Sequence, residues 1–201
     1  MKKYNISKNA FIDIVNLLNN NYDTSQDIKL RDTTPDILVK SGIKDYPMLM
    51  NSSHILDNIL TEDEAKELGI YKKSINYHGL GVKKFLETID QMDNPVAIYR
   101  WNYTKNKKYG LKDYVVLTNI NNNIIPIYIE TTGNYNNVEI NTNKIKTIYG
   151  GNNVISKLEQ NVKKGYMTKI YSKTKKTKLT TTVNTAATTN SFNEINISQE
   201  K

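Results

Sequence analysis

The spacing of apolar residues changes near residue 95, and this change limits the chain to folds that combine helices with a sheet. Before it, apolar residues recur every three or four positions, as Val82, Phe85, Leu86 and Ile89 do, which is typical of amphipathic helices. After it, stretches such as YVVLTNI at 114–120 are β-branched and aromatic, which favours strands. This order predicts an α+β fold, with short N-terminal helices packed on an antiparallel sheet of about four strands.

Capping signals and apolar stripes predict four short helices in the N-terminal half. Thr61 and Glu64 have the spacing of a capping box, and Gly69 suits the end of that helix. Pro35 suits the first turn of another helix, and Gly42 suits its end. Two further helices are predicted from apolar stripes at positions 11, 14, 15 and 18 and at positions 82, 85, 86 and 89.

The second half is read mostly as strands, at 96–101, 114–120, 124–130, 144–149 and 167–171. The run of asparagines at 121–123 tolerates the left-handed backbone of a hairpin turn. In the strand at 144–149, strict alternation puts positions 144, 146 and 148 on one face and 145, 147 and 149 on the other. A helix is predicted before the last strand, with inward residues Val154, Ile155, Leu158 and Val162.

Composition limits the classes of function. Cysteine is absent, so disulfides, thiol nucleophiles and Cys-ligated metal sites are excluded. No apolar run approaches the roughly 20 residues that a membrane helix needs, so a soluble protein without membrane contact is expected. The net charge of +8 favours an anionic partner such as nucleic acid, although the lysines at 163–178 also fit a solvated basic tail. A single domain at 1–173 and a disordered Lys/Thr/Asn-rich tail at 174–201 are predicted.

Several short strings, in this order, resemble the C-terminal domain of phage MuF-type polyvalent proteins. They are TPDIL, GIKDYPMLM, SSHILDNI, an HGL helix that ends in NPVAIY, VVLT, IPIYI, NKIKTIYG and KIYSK. The resemblance covers residues 33–173 and implies a phage or prophage protein related to barnase-, EndoU-, colicin- and RelE-like nucleases. It also implies a metal-independent ribonuclease-like toxin or effector without a cofactor, acting in the cytoplasm of a bacterial host. Because the sequence starts at Met1, we expect a stand-alone product rather than one delivered with the virion.

Metal-independent cleavage of RNA requires a proton acceptor, a proton donor and cations around the phosphate. His78 is the first catalytic candidate, because it precedes a helix whose N–H groups could also contact phosphate. Arg100 is the second, since a guanidinium can bind a phosphate through two hydrogen bonds. The alternatives are a helix-capping histidine and a strand-end arginine. His54 is expected to be a packing or capping residue.

Four more candidates come from the predicted sheet, and a fifth follows its last strand. Thr147 and Tyr149 could contact substrate as further catalytic residues, although strand propensity explains both. Lys144, Tyr171 and Lys173 are candidates for binding the substrate, while a core tyrosine and the start of the basic tail are the alternatives for the last two.

No metal site and no cofactor are predicted, because the two histidines lack metal-ligand spacing and no phosphate-binding glycine loop is present. The expected partner is RNA or another nucleic acid, and a host defence protein or an antitoxin is a further candidate. Two alternatives to the ribonuclease stay open. One is a non-catalytic phage protein that uses the same fold to bind nucleic acid or to inhibit a host defence protein. The other is a virion component.

Overall fold

A computed structural model gives the fold and describes residues 6–19, 26–102, 113–131, 134–135, 138–139, 141–148 and 153–173. Within these residues the chain forms six α-helices and nine β-strands. The helices are α1 (Ala10–Asn19), α2 (Asp36–Lys40), α3 (Ser52–Ile59), α4 (Glu62–Glu67), α5 (Gly81–Asp90) and α6 (Val154–Lys163). The strands are β1 (Asp27–Arg31), β2 (Met48–Asn51), β3 (Ala97–Trp101), β4 (Tyr114–Ile120), β5 (Asn123–Glu130), β6 (Asn134–Tyr135), β7 (Val138–Glu139), β8 (Asn143–Ile148) and β9 (Met167–Ser172).

Seven of these strands form one mixed sheet in the order β1-β2-β8-β5-β4-β3-β9. The pair of β2 and β8 is parallel, and the other neighbours are antiparallel. The prediction of an α+β fold is therefore confirmed, whereas a sheet of about four antiparallel strands was an understatement. The helices are also not all N-terminal, since α6 lies between β8 and β9 in the chain.

Locally encoded elements agree with their predictions. The Thr61 side chain accepts a hydrogen bond from the Glu64 N–H (3.2 Å), and a Glu64 carboxylate oxygen accepts one from the Thr61 N–H (2.7 Å), which completes the capping box of α4. The β4–β5 hairpin turns through Asn121 and Asn122, whose φ angles are 50° and 63°. Two-residue turns with positive φ match the twist of the flanking strands, so this turn fixes their register.

The sheet separates two apolar cores. The larger one lies against the first five helices and includes Ile14, Leu38, Ile55 and Phe85. The smaller one lies under α6, where Leu158 packs among residues of β3, β4 and β9. Alternate residues of one strand point to opposite faces, and along β3 they enter the two cores in turn. Burying one large apolar side chain stabilises the fold by roughly 1.5–3 kcal/mol, so the side chains of both cores stabilise the sheet.

Two apolar residues predicted to face inward do not. Phe11 on α1 is 54% exposed and Ile155 on α6 is 44% exposed. The predicted stripe on α1 was wrong at Phe11, whereas Ile14 is buried as predicted. Apolar residues occupy most of the circumference of α1, and its buried side also includes Ala10, whose small side chain allows close packing. On α6 the buried side is centred on Leu158.

Strand β8 contains a bulge that changes which residues share a face. Tyr128 pairs with Thr147 and the next residue of β5 pairs with Ile145, so one residue of β8 is unpaired between them. Ile145 and Ile148 consequently both enter the larger core, although they are three positions apart. The predicted strict alternation was wrong for this reason. Thr147 lies on the other face with its partner Tyr128, which packs against the smaller core.

None of the helices in the described ranges has the length and apolar character that crossing a membrane requires.

Candidate active site

Helix α3 carries the first histidine of the chain beside a carboxylate. His54 and Asp57 are three positions apart, which places their side chains on one side of the helix. The Nδ1 atom of His54 lies 3.7 Å from an Asp57 carboxylate oxygen, within ion-pair range but too long for a hydrogen bond. His54 exposes 44% of its side chain and Asp57 exposes 19%, so solvent reaches both. Both groups are therefore open to a ligand.

The buried Asn58 fixes the end of α3 to the sheet. Its side-chain amide donates to the carbonyl oxygen of His54 (2.6 Å), and its Oδ1 accepts from the backbone N–H of Ile148 at the end of β8 (3.3 Å). Asn58 is only 2% exposed, so loss of either bond would leave a buried polar group unsatisfied. The histidine-bearing helix is thus held at a defined place on β8.

The second histidine reaches the same place because the segment 78–80 covers the end of α3. Carbonyl groups in the last turn of a helix have no partner within the helix, and here three backbone N–H groups supply them. The bonds run from His78 to Asp57 (2.9 Å), from Gly79 to Leu60 (2.8 Å) and from Leu80 to Asn58 (2.9 Å). These three N–H groups are thus used inside the protein. They precede α5, so the contact of that helix's own N–H groups with phosphate stays a prediction.

Glycine is required at position 79 for this contact. Gly79 has a φ of +59°, and a Cβ atom there would lie 2.7 Å from Cγ2 of Thr61. Side chains avoid both the left-handed backbone and so short a distance. The close approach of segment 78–80 to α3 and to the start of α4 therefore depends on Gly79, and it sets the position of His78.

The two histidines of the sequence both lie against Asp57. The Asp57 carboxylate raises the pKa of the half-buried His78, but burial lowers it more, and the net result is a pKa below the ordinary value of 6.5. At neutral pH His78 is therefore mostly unprotonated and can accept a proton. Two imidazoles near one carboxylate can exchange protons with a bound substrate.

Arg100 lies elsewhere in the fold. It is exposed near the end of β3, where its strand neighbours are Tyr114 and Thr168. Helix α3 contacts β8, and the strands β5 and β4 lie between β8 and β3 in the sheet. Neighbouring strands are about 4.8 Å apart, so β3 runs about 14 Å from β8. The contacts of His78 and Arg100 are thus with different elements, and a shared role for them stays a prediction.

One of the two further catalytic candidates lies near the end of β8. Thr147 is half-buried on the sheet face that carries the smaller core, opposite the face covered by α3. The sheet therefore lies between Thr147 and the histidines. Tyr149 lies outside the described residues.

The three candidates for substrate binding have partners within the fold. The ammonium group of Lys144 lies 3.0 Å from a carboxylate oxygen of Asp27, which links β8 to β1. Tyr171 is half-buried and packs against the larger core. The side chain of Lys173 donates to Oδ1 of Asn94 (3.0 Å). These contacts join the three residues to parts of the fold other than segment 78–80, and their role in binding stays a prediction.

A separate surface pocket of about 580 Å³ lies beside β1 and α2. Its lining includes Arg31, Asp32, Asp36, Lys40 and Asp93. His78 and Arg100, which both belong to the described part of the chain, do not line it. The Arg31 guanidinium contacts both carboxylate oxygens of Asp93, at 2.9 and 3.0 Å. This pocket is polar and carries charges of both signs.

The chain matches no family model, no curated protein and no solved structure. Its resemblance to the MuF-type domain therefore stays an expectation based on short strings. Across the described ranges, no group of three or more His, Asp or Glu side chains is placed to hold a metal ion.

Sequence reasoning missed two members of this site, His54 and Asp57. The spacing of three positions was visible and could have indicated a shared helix side. The approach of His78 was not visible, because it depends on hydrogen bonds to the end of a helix some twenty residues earlier in the chain.

Proposed function

We propose that this protein is a metal-independent endoribonuclease in which His54 and His78, both near Asp57, exchange protons with the RNA backbone. The observation that carries the proposal is that both histidines of the sequence lie near Asp57. The His54 imidazole is 3.7 Å from its carboxylate, and the backbone N–H of His78 donates to its carbonyl oxygen. The net charge of +8 supports a polyanionic substrate. The resemblance to MuF-type domains supports the further proposal of a phage or prophage toxin that acts in the cytoplasm of a bacterial host.

The reaction needs one imidazole as base and one as acid. His78 takes the proton from a 2′-hydroxyl, whose oxygen forms a bond to the adjacent phosphorus. The bond from phosphorus to the 5′-oxygen breaks, and protonated His54 donates a proton to that oxygen. The products are a 2′,3′-cyclic phosphate and a 5′-hydroxyl, so atoms and protons balance without an added reactant.

The environments of the two imidazoles suit these roles. Burial lowers the pKa of His78, which keeps it unprotonated near neutral pH. His54 exposes 44% of its side chain, so the leaving oxygen of a bound substrate can reach its imidazole. Asp57 acts as a positioning residue, since its carboxylate faces His54 while its backbone carbonyl accepts from the N–H of His78.

The test is cleavage of total RNA and tRNA by the full chain in the presence of EDTA. We expect fragments with cyclic phosphate ends, and a loss of about 10²–10⁴-fold in rate for His78→Gln and for His54→Gln. If the histidines act as a unit, the double variant loses little more than either single one. Intact RNA at high protein concentration would overturn the proposal.

Arg100→Gln is the matched comparison for the earlier prediction. Arg100 is exposed on β3, so its replacement leaves the core unchanged. If Arg100→Gln loses as much cleavage as His78→Gln, Arg100 acts at the same site. The separation of the two residues inferred from the order of strands would then be wrong. A rate close to that of the unchanged protein assigns Arg100 to the surface.

The second candidate function is a non-catalytic protein that binds nucleic acid, and the concentration of positive charge favours it. Phosphate neutralisation by lysine releases counterions, so this function predicts binding that weakens steeply with salt. RNA that is retarded in a gel but stays intact, with His78→Gln binding as the unchanged protein does, supports this candidate and excludes the nuclease.

A further inference from the structure

We infer that Tyr71 is a stacking site for an unpaired nucleobase and that the substrate of the proposed nuclease is single-stranded RNA. The inference rests on the proposed function for its choice of RNA, but its evidence is separate. Tyr71 is 37% exposed, and its ring stacks on that of Tyr77 with centroids 5.9 Å apart and an angle of 27°. Tyr77 directly precedes His78, so one segment carries both the aromatic pair and the proposed base.

The second ring of the pair is held firmly. The hydroxyl of Tyr77 donates to the carbonyl oxygen of Ile70 (3.2 Å) and accepts from the backbone N–H of Lys72 (3.1 Å). Tyr77 also packs against the larger core. Tyr71 therefore rests on a fixed support, and a ligand that stacks on it loses little entropy to ordering of the protein.

A lysine lies over the ring of Tyr71. The ammonium group of Lys66 is 5.2 Å from the ring centroid and also pairs with Glu62 at 2.8 Å. An exposed cation–π contact and an exposed ion pair each change the equilibrium constant for holding the lysine in place by about two- to fivefold or less. Stacking of a base on an aromatic side chain contributes about 5- to 150-fold. The base therefore replaces Lys66 on the ring, and the freed ammonium group can turn to a phosphate.

Stacking on Tyr71 requires an unpaired base. In a duplex both faces of a base are covered by its neighbours, whereas a base of a single strand can place one face on an aromatic side chain. Lys72 and Lys73 directly follow Tyr71 and are exposed, so they can contact the backbone phosphates of such a strand.

The experiment measures binding of a fluorescent oligoribonucleotide whose 2′-hydroxyls are methylated, so that no cleavage occurs. We expect Tyr71→Leu to weaken binding by about 5- to 150-fold, and Tyr71→Phe to bind as the unchanged protein does. Tyr46→Leu is the matched control, because Lys44 lies over the ring of Tyr46 at 5.7 Å in another part of the surface. The same strand annealed to its complement should bind more weakly.

Unchanged binding by Tyr71→Leu, an equal loss in Tyr46→Leu, or a duplex that binds as tightly as the single strand would overturn the inference. Its failure is distinguishable from failure of the proposed function. Normal binding by Tyr71→Leu together with lost cleavage in His78→Gln rejects stacking and keeps the nuclease. Absent cleavage together with lost binding in Tyr71→Leu rejects the nuclease and keeps the base-binding site.

Discussion

Two clusters of ionisable side chains in this protein differ in how completely their groups are bonded within the fold. Arg31 exposes 5% of its side chain and donates to Asp93 and to the carbonyl oxygen of Ile89 (3.3 Å). His54 exposes 44% of its side chain and lies 3.7 Å from Asp57, beyond hydrogen-bond range. The first cluster is closed by its own partners, while the second is open to a substrate.

The difference indicates which cluster stabilises the fold and which can perform chemistry. A buried guanidinium that loses its carboxylate keeps an uncompensated charge, so such pairs are costly to break. An exposed pair contributes only about 0–1 kcal/mol to stability, because water screens it and can replace either partner. Replacement of Asp93 should therefore reduce stability, and replacement of the histidines should reduce activity.

The largest effect on stability is expected for Asp93→Ala. Removal of the carboxylate leaves the buried Arg31 guanidinium with an uncompensated charge, and we expect a loss of about 3 kcal/mol in the free energy of unfolding. Urea unfolding followed by circular dichroism measures it. His54→Gln in the same assay should change stability by less than about 1 kcal/mol. Equal losses in the two variants would remove the distinction between the clusters.

A smaller effect is expected for Gly79→Ala, with Gly69→Ala as its control. Both glycines have positive φ, at +59° and +69°, but only at Gly79 would a Cβ meet another atom within 4 Å. We expect both variants to lose about 1–2 kcal/mol from backbone strain, and only Gly79→Ala to lose further stability and slow RNA cleavage, because the clash with Thr61 displaces His78. Equal cleavage rates in the two variants would show that the position of His78 is unimportant.

The smallest effect is a pH dependence of stability that arises from His78. Its folded-state pKa is lowered from 6.5 by burial, so below pH 6.5 the unfolded chain binds a proton more readily than the folded one. The stability that this group contributes is present above pH 6.5 and is lost as the pH falls through its lowered folded-state pKa. The difference in unfolding free energy between the unchanged protein and His78→Gln, measured from pH 7.5 to 5, should decrease towards acid. A difference that grows instead would contradict the stated burial.

Elements with strong local signals were predictable from the sequence. The capping box of Thr61 and Glu64 and the turn at Asn121 and Asn122 each depend on residues within four positions of one another. Strands β1 and β2 were missed because they have only five and four residues, and their extended form depends on pairing with each other and with the distant β8. The bulge in β8 was missed for a similar reason, since its pairing with β5 defines it.

The candidate site was predictable only in part. His78 was found as a titratable residue before a helix, and the structure places it beside a carboxylate. Arg100 was chosen because a guanidinium can bind phosphate, and this chemistry carries no information about the order of strands in a sheet. The sequence could not show that segment 78–80 binds the end of α3. The carbonyl groups at a helix end can accept hydrogen bonds from any nearby N–H, so they do not specify which segment supplies it.

The parallel pair of β2 and β8 has a consequence for cutting the chain. Met48 lies beside Asn143, almost half of the sequence later, although the change in apolar spacing falls between them. A break near residue 95 would therefore leave each fragment with an open sheet edge and part of a shared apolar layer. Neither fragment should be stable in isolation, and the two should reassociate when mixed, as complementing pieces of one folding unit.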